Sequence, residues 1–72
     1  MDISPANYSR ILKFQKSEIT ANILYAKIAN MMKPGKNKDI LLEISKVEYD
    51  HYKQWKSFTR KDIHPNYLKI FM

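Results

Sequence analysis

Three polar residues interrupt two otherwise apolar stripes in this chain. Read every three or four residues, the first stripe runs Ile11, Phe14, Glu18, Ala21, Tyr25, Ile28, Met32. The second runs Leu41, Ile44, Glu48, His51, Trp55, Phe58. Both follow the spacing of a helical core face. A carboxylate on such a face must be protonated, paired or bound to a metal, because burying a lone charge is expensive. Glu18, Glu48 and His51 supply two carboxylates and one imidazole. Converging in one place, they form half the ligand set of a carboxylate-bridged di-metal site.

The elements that must position these residues are two helices. Ser4 and Asn7 are both suited to capping, and Pro5 suits a first helical turn. Helix one is expected over about 6–32, ended by Pro34-Gly35. Asn37 is the expected cap of helix two, which runs over about 38–59 with Asp39 in its first turn. A tail over 60–72 contains Pro65, which blocks simple continuation. The tail also holds Ile63, Tyr67, Leu68, Ile70 and Phe71, too apolar for a free end, so it should pack as a short third helix. The short turn makes the two long helices antiparallel neighbours. Glu18 lies 17 residues before Gly35, and Glu48 and His51 lie 13 and 16 after it. At about 1.5 Å per residue these are depths of roughly 25, 20 and 24 Å. All three residues therefore sit at one level of an all-α hairpin.

Seventy-two residues make one domain at most, and a core of that size is marginal without a staple. With no cysteine, disulfides, thiolate zinc and iron–sulfur centres are excluded, leaving oxygen and nitrogen ligands or oligomerisation. No signal-peptide pattern and no run of about 20 apolar residues is present, so a cytoplasmic, non-membrane protein is expected. The net charge of +6 comes from 13 basic against 7 acidic residues. The lysines are scattered rather than clustered, and only two arginines are available as base readers, so a solvated basic surface is preferred to nucleic-acid binding.

The individual residues also have plainer readings. Glu18 alone could reach solvent or pair with a lysine, and His51 alone could be a satisfied core histidine. Trp55 and Phe58 read as core, and Met31 and Met32 as the close of helix one. His64 reads as a surface residue. Asp50 and Glu43 point away from the stripe.

Glu18 with Tyr25 seven residues later, Ile28-Ala29, and Glu48-Tyr49-Asp50-His51-Tyr52 resemble the first helical pair of rubrerythrin-type proteins in the ferritin-like superfamily. The stretch from Phe14 to Phe71, with its ending Asp62-Ile63-His64-Pro65-Asn66-Tyr67-Leu68-Lys69-Ile70-Phe71, is also similar to the ferritin-like domain ahead of some vacuolar-iron-transporter-type membrane regions. The resemblance implies Glu18 as a terminal metal ligand, Glu48 as the bridging carboxylate and His51 as the imidazole ligand. It implies Tyr25 as a hydrogen-bond donor near the metals. The implied metal is a pair of irons, with manganese or zinc as alternatives.

A complete domain of that family has four helices, whereas residues 1–72 make a half-domain. Either the chain is a fragment or two copies pair around a two-fold axis, the preferred reading, in which Glu18, Glu48 and His51 each count twice. A lone hairpin would leave Ile11, Phe14, Ile44, Trp55 and Phe58 exposed, and the homodimer covers them, with the apolar tail lying over the partner. The expected function is a di-iron oxidoreductase, ferroxidase or peroxide-reducing, in iron handling or oxidative-stress defence. An external electron donor is required. The alternatives are a non-catalytic helical interaction module that keeps the ligands as structure and, behind it, a small basic nucleic-acid-binding protein.

Overall fold

The computed structural model describes residues 3–71. Met1, Asp2 and Met72, which belong to the expected lead-in and tail, lie outside the described residues. Three helices follow in order: α1 over Pro5–Asn30, α2 over Lys36–Thr59 and α3 over Tyr67–Phe71. The helical hairpin and the short third helix match the sequence reading.

Ser4 caps α1, its hydroxyl accepting from the Asn7 amide at 3.2 Å, with Pro5 in the first turn. Asn7 is thus the capped residue and not the cap. α1 stops at Asn30, two residues short of the expected Met32, and Met31 closes it by donating its amide to the Ile28 carbonyl at 3.1 Å. Pro34 biases Lys33 away from helix, so the chain leaves α1 before the turn. Gly35, not Asn37, is the N-cap of α2, and Asn37 lies within the first turn beside Asp39. Arg60 ends α2 in the left-handed region, at φ 57°, donating its amide to the Lys56 carbonyl at 2.7 Å.

The two long helices meet along a seam that is largely polar. Gln15, Asn22 and Ala29 of α1 and Ser45, Tyr52 and Thr59 of α2 recur every seven residues, the repeat that keeps one line of a helix against its partner. Thr59 Oγ1 donates to Gln15 Oε1 at 2.7 Å, and Gln15 Nε2 donates to the Lys61 carbonyl. Asn22 Nδ2 donates to the Ser45 carbonyl at 2.9 Å, and Ser45 Oγ returns a bond to the Asn22 carbonyl at 2.7 Å. Gln15, Ser45, Thr59, Ala29 and Tyr52 are all buried. Buried polar groups are tolerable here because their partners lie directly across the seam.

The apolar stripes are therefore not the interior of the hairpin, as a core-face reading would have them. They lie beside the seam, on a face left largely open among the described residues. Phe14 is 51% exposed and Phe58 44%. Ile28, Ile40, Ile44 and Val47 are exposed as well, and Trp55 is only half-buried. Trp55 and Phe58 are consequently not core within one chain. Instead, Phe14, Trp55 and Phe58 form a row of rings on that open face, with centroids 5.7 and 6.3 Å apart.

The tail returns over its own hairpin rather than reaching outward. Tyr52 Oη donates to Asp62 at 3.2 Å and accepts the Ile63 amide at 3.1 Å. Thr20 Oγ1 accepts the Asn66 amide at 2.8 Å, and Lys27 Nζ donates to the Ile70 carbonyl at 2.9 Å. Ile70 is buried, whereas Tyr67, Leu68 and Phe71 stay exposed. Lys56 Nζ lies 2.6 Å from Asp62 Oδ1 and holds the Asp62 carboxyl below its ordinary range, with the Tyr52 hydroxyl helping.

The Cα trace measures 46 × 24 × 14 Å with a radius of gyration of 13.8 Å. A compact chain of this length has a radius of gyration of about 11 Å. Cα atoms lie about 2.3 Å from a helix axis and packed helices about 8–10 Å apart, so the shortest dimension, 14 Å, is the thickness of one helix pair.

Replacing Gln15 by Met should leave the Lys61 carbonyl without its donor and the Thr59 hydroxyl, which still accepts from the Lys61 amide, without an acceptor, at a cost of roughly 1–3 kcal/mol. For a domain this small, that is a fall in Tm of about 4–8 °C per kcal/mol, readable by circular dichroism. The double variant Gln15→Met, Thr59→Val should recover part of the loss, since both partners are then apolar. Arg60→Gly should raise Tm, because glycine adopts the left-handed helix end without the penalty of a side chain.

Candidate metal centre

Glu18 lies on α1, three residues after Gln15, so the seam contact at Gln15 turns Glu18 toward the open face. Glu48 and His51 sit three residues after Ser45 and one before Tyr52, and the α2 seam turns them to the same side. One ligand atom from each of Glu18, Glu48 and His51 lies within 4.8 Å of the others. The hairpin thus brings all three expected ligand residues together.

His51 Nδ1 is 3.5 Å from Glu18 Oε2 and 3.9 Å from Glu48 Oε1. Both distances are ion-pair distances, too long for a well-formed hydrogen bond. Glu18 Oε2 is buried and has no hydrogen-bond partner among the described residues. Such an atom lacks a proton donor or a cation. The two carboxyl groups also crowd each other. Contact with Glu18 pushes the Glu48 carboxyl above its ordinary value of 4.5; partial burial and the Glu18 charge push the same way, against a smaller opposing effect of His51. Two carboxylates in one site cannot both ionise freely unless a positive charge joins them. The Glu18 and Glu48 side chains are 22% and 24% exposed and His51 is 46% exposed, so the cluster opens outward onto the uncovered face.

Neighbouring residues on that face are apolar. Phe14 is one turn before Glu18 and Trp55 one turn after His51, and beyond them a hollow of about 480 Å³ is bordered by Ile11, Phe14, Trp55, Phe58 and Arg10. Tyr25 is one heptad from Glu18, but its side chain lines a separate groove with Leu24 and Asn66. Among the described residues, no hydrogen bond links it to Glu18, Glu48 or His51. Glu43 is exposed on another side of α2, and Asp50 pairs with Lys53 at 3.5 Å.

The sequence reading missed the polar seam that aims the cluster outward. Its signal is the seven-residue recurrence of Gln15, Asn22 and Ala29 beside the more conspicuous apolar stripe. Tyr52, adjacent to His51, is the buried residue of that pair.

No helix among the described residues is long and apolar enough to cross a membrane. Comparison with known proteins returns nothing: no family model, no curated protein and no solved structure matches the chain.

The crowding of Glu48 gives the metal-free protein a distinct pH dependence. A carboxyl whose folded pKa is raised binds its proton more tightly when folded. Stability therefore falls as pH rises from the unfolded value of 4.5 through the raised folded value. In chelator, Glu48→Gln should melt above the parent at pH 7. The gap should close as pH drops to about 4, where Glu48 is neutral as well. A gap of the same size at both pH values would show that the carboxyl pair is not the cause.

Proposed function

We propose that two copies of the chain close their open faces on each other and hold a pair of irons between two sets of Glu18, Glu48 and His51. The observation that carries this reading is the convergence of those donor atoms within 4.8 Å, from two helices, around a buried carboxylate oxygen with no partner. Two copies supply four carboxylates and two imidazoles, the donor set of di-metal carboxylate bundles. Oxygen and imidazole donors suit iron or manganese and also accept zinc. Glu48, crowded against Glu18 and on the same helical face as His51, would hold the metal together with them. The partner would cover the exposed rings of Phe14 and Phe58.

Bound there, a pair of irons supplies two electrons to dioxygen or hydrogen peroxide, which makes the protein a ferroxidase or a peroxide-reducing oxidoreductase of rubrerythrin type acting in the cytoplasm. The chain's own part is to hold the charge and to exclude water. Phe14 and Trp55 of each copy would wall the site once the faces meet. His51 would hold metal through an imidazole nitrogen, as Glu18 and Glu48 would through carboxylate oxygens. With no cysteine for an iron–sulfur centre, the chain draws its electrons from a separate donor.

A second reading is favoured by the His51–Glu18 distance of 3.5 Å. A protonated His51 balances the carboxylates without metal, and the cluster is then an ion-paired element of a helical interaction face.

The deciding experiment loads the protein with Fe(II) anaerobically, desalts it, and reads iron per chain and molar mass on one peak. The expected result is one iron per chain on a dimer, with Glu48→Ala losing the iron. An iron-free protein, or Glu48→Ala retaining iron, contradicts the site; an iron-free dimer is the outcome of the second reading. Given a loaded dimer, accelerated Fe(II) oxidation by dioxygen or peroxide separates turnover from a structural metal.

A further inference from the structure

Away from the carboxylate cluster, α1 and the returning tail enclose a groove of about 400 Å³. Three lysines border it: Lys13 and Lys16, one turn apart on α1, and Lys69 on the tail. Among the described residues, no acidic side chain lines it. Among the described residues, the acids that form ion pairs are Glu18, Glu48, Asp50 and Asp62, and their partners are His51, Lys53 and Lys56. Among the described residues, Lys13, Lys16 and Lys69 take part in no ion pair. Lys27 is different, since its ammonium bonds the Ile70 carbonyl and lies 4.6 Å from the centre of the Phe71 ring.

The groove depends on the tail's return. Thr20 is buried, and its hydroxyl fixes the Asn66 amide while donating to the Lys16 carbonyl at 2.7 Å. That anchor sets Asn66 and Lys69 as one wall against α1. Without it, Lys13 and Lys16 would be ordinary lysines on a helix surface. Ser17 adds a further polar side chain to the lining, and Leu24 and Tyr25 add an apolar flank.

Ammonium groups bordering a concave site attract small anions. We propose that this groove binds a small organic phosphate, with its dianionic group among Lys13, Lys16 and Lys69 and its carbon body against Leu24 and Tyr25. The lysines act as point charges on the phosphate, while the apolar flank distinguishes an organic phosphate from the free ion. This site is separate from the carboxylate cluster and does not require the iron reading.

The test is calorimetric titration of the full chain in chelator with phenyl phosphate and with inorganic phosphate, at low ionic strength and at about 0.15 M. Phenyl phosphate should bind saturably with one site per chain, more tightly than inorganic phosphate and more weakly as salt rises. Lys16→Gln and Lys69→Gln should each weaken it about fivefold or more. Lys46→Gln makes the same charge change on the exposed surface of α2 and should leave the affinity unchanged. These lysines are exposed, so the variants should keep the parent's helicity, which circular dichroism verifies. Absence of saturable binding, equal affinity for the two phosphates, or an equal loss in Lys46→Gln would overturn the proposal.

Discussion

Gln15 and Thr59, and Asn22 and Ser45, hydrogen-bond across the hairpin, and that pairing fixes the rotation of both long helices. A helix has only one face to turn inward. By turning polar residues inward, this hairpin leaves its apolar stripes turned outward. Slipping the seam by one residue would rotate each helix by about 100° and strand Gln15 and Asn22 in an apolar environment. The hydrogen bonds thus act less as a source of net stability than as a constraint on register, since a buried polar group without its partner is costly while a satisfied one contributes little.

The outward face then explains the behaviour of Glu18, Glu48 and His51. In a sealed core, two carboxylates at this distance would destabilise the fold severely. On a half-open face they are tolerated, with Glu48 drawn toward its protonated form and His51 nearby to offset charge. Such an arrangement is poised: a proton, a histidinium or a divalent cation each relieves the same repulsion. If a second copy covered the face, water would be removed as the remaining option, and association and cation binding would reinforce each other. The exposed rings of Phe14 and Phe58 leave an apolar face beside the cluster on which a second layer would be favourable.

Much of this was legible in the sequence. The Pro34-Gly35 turn, the depths of Glu18, Glu48 and His51 along their helices, and the excess of apolar residues over what one hairpin can bury all follow from spacing alone. The helix ends were less legible. Gly35 rather than Asn37 begins α2, and α1 ends two residues early, because the constraint from Pro34 acts before the turn. The seam itself was obscured because its residues are polar or small. Composition favours apolar stripes as the contact surface, and only the seven-residue recurrence and cross-helix bonding of Gln15, Asn22, Ser45 and Thr59 show otherwise. The tail's direction was not legible either. Ile63 and Ile70 predict packing somewhere, but the anchors are the Thr20 and Tyr52 hydroxyls and the Lys27 ammonium, each bonding backbone groups of the tail.

The most direct measurement is an anomalous difference map from crystals of the protein soaked anaerobically with Fe(II). The account predicts two neighbouring iron peaks, each within ligand distance of Glu18, Glu48 or His51 from two copies, at an interface formed by Phe14, Trp55 and Phe58. Iron absent from that position in crystals that bind it elsewhere, or open faces buried against something other than a second copy, would contradict it.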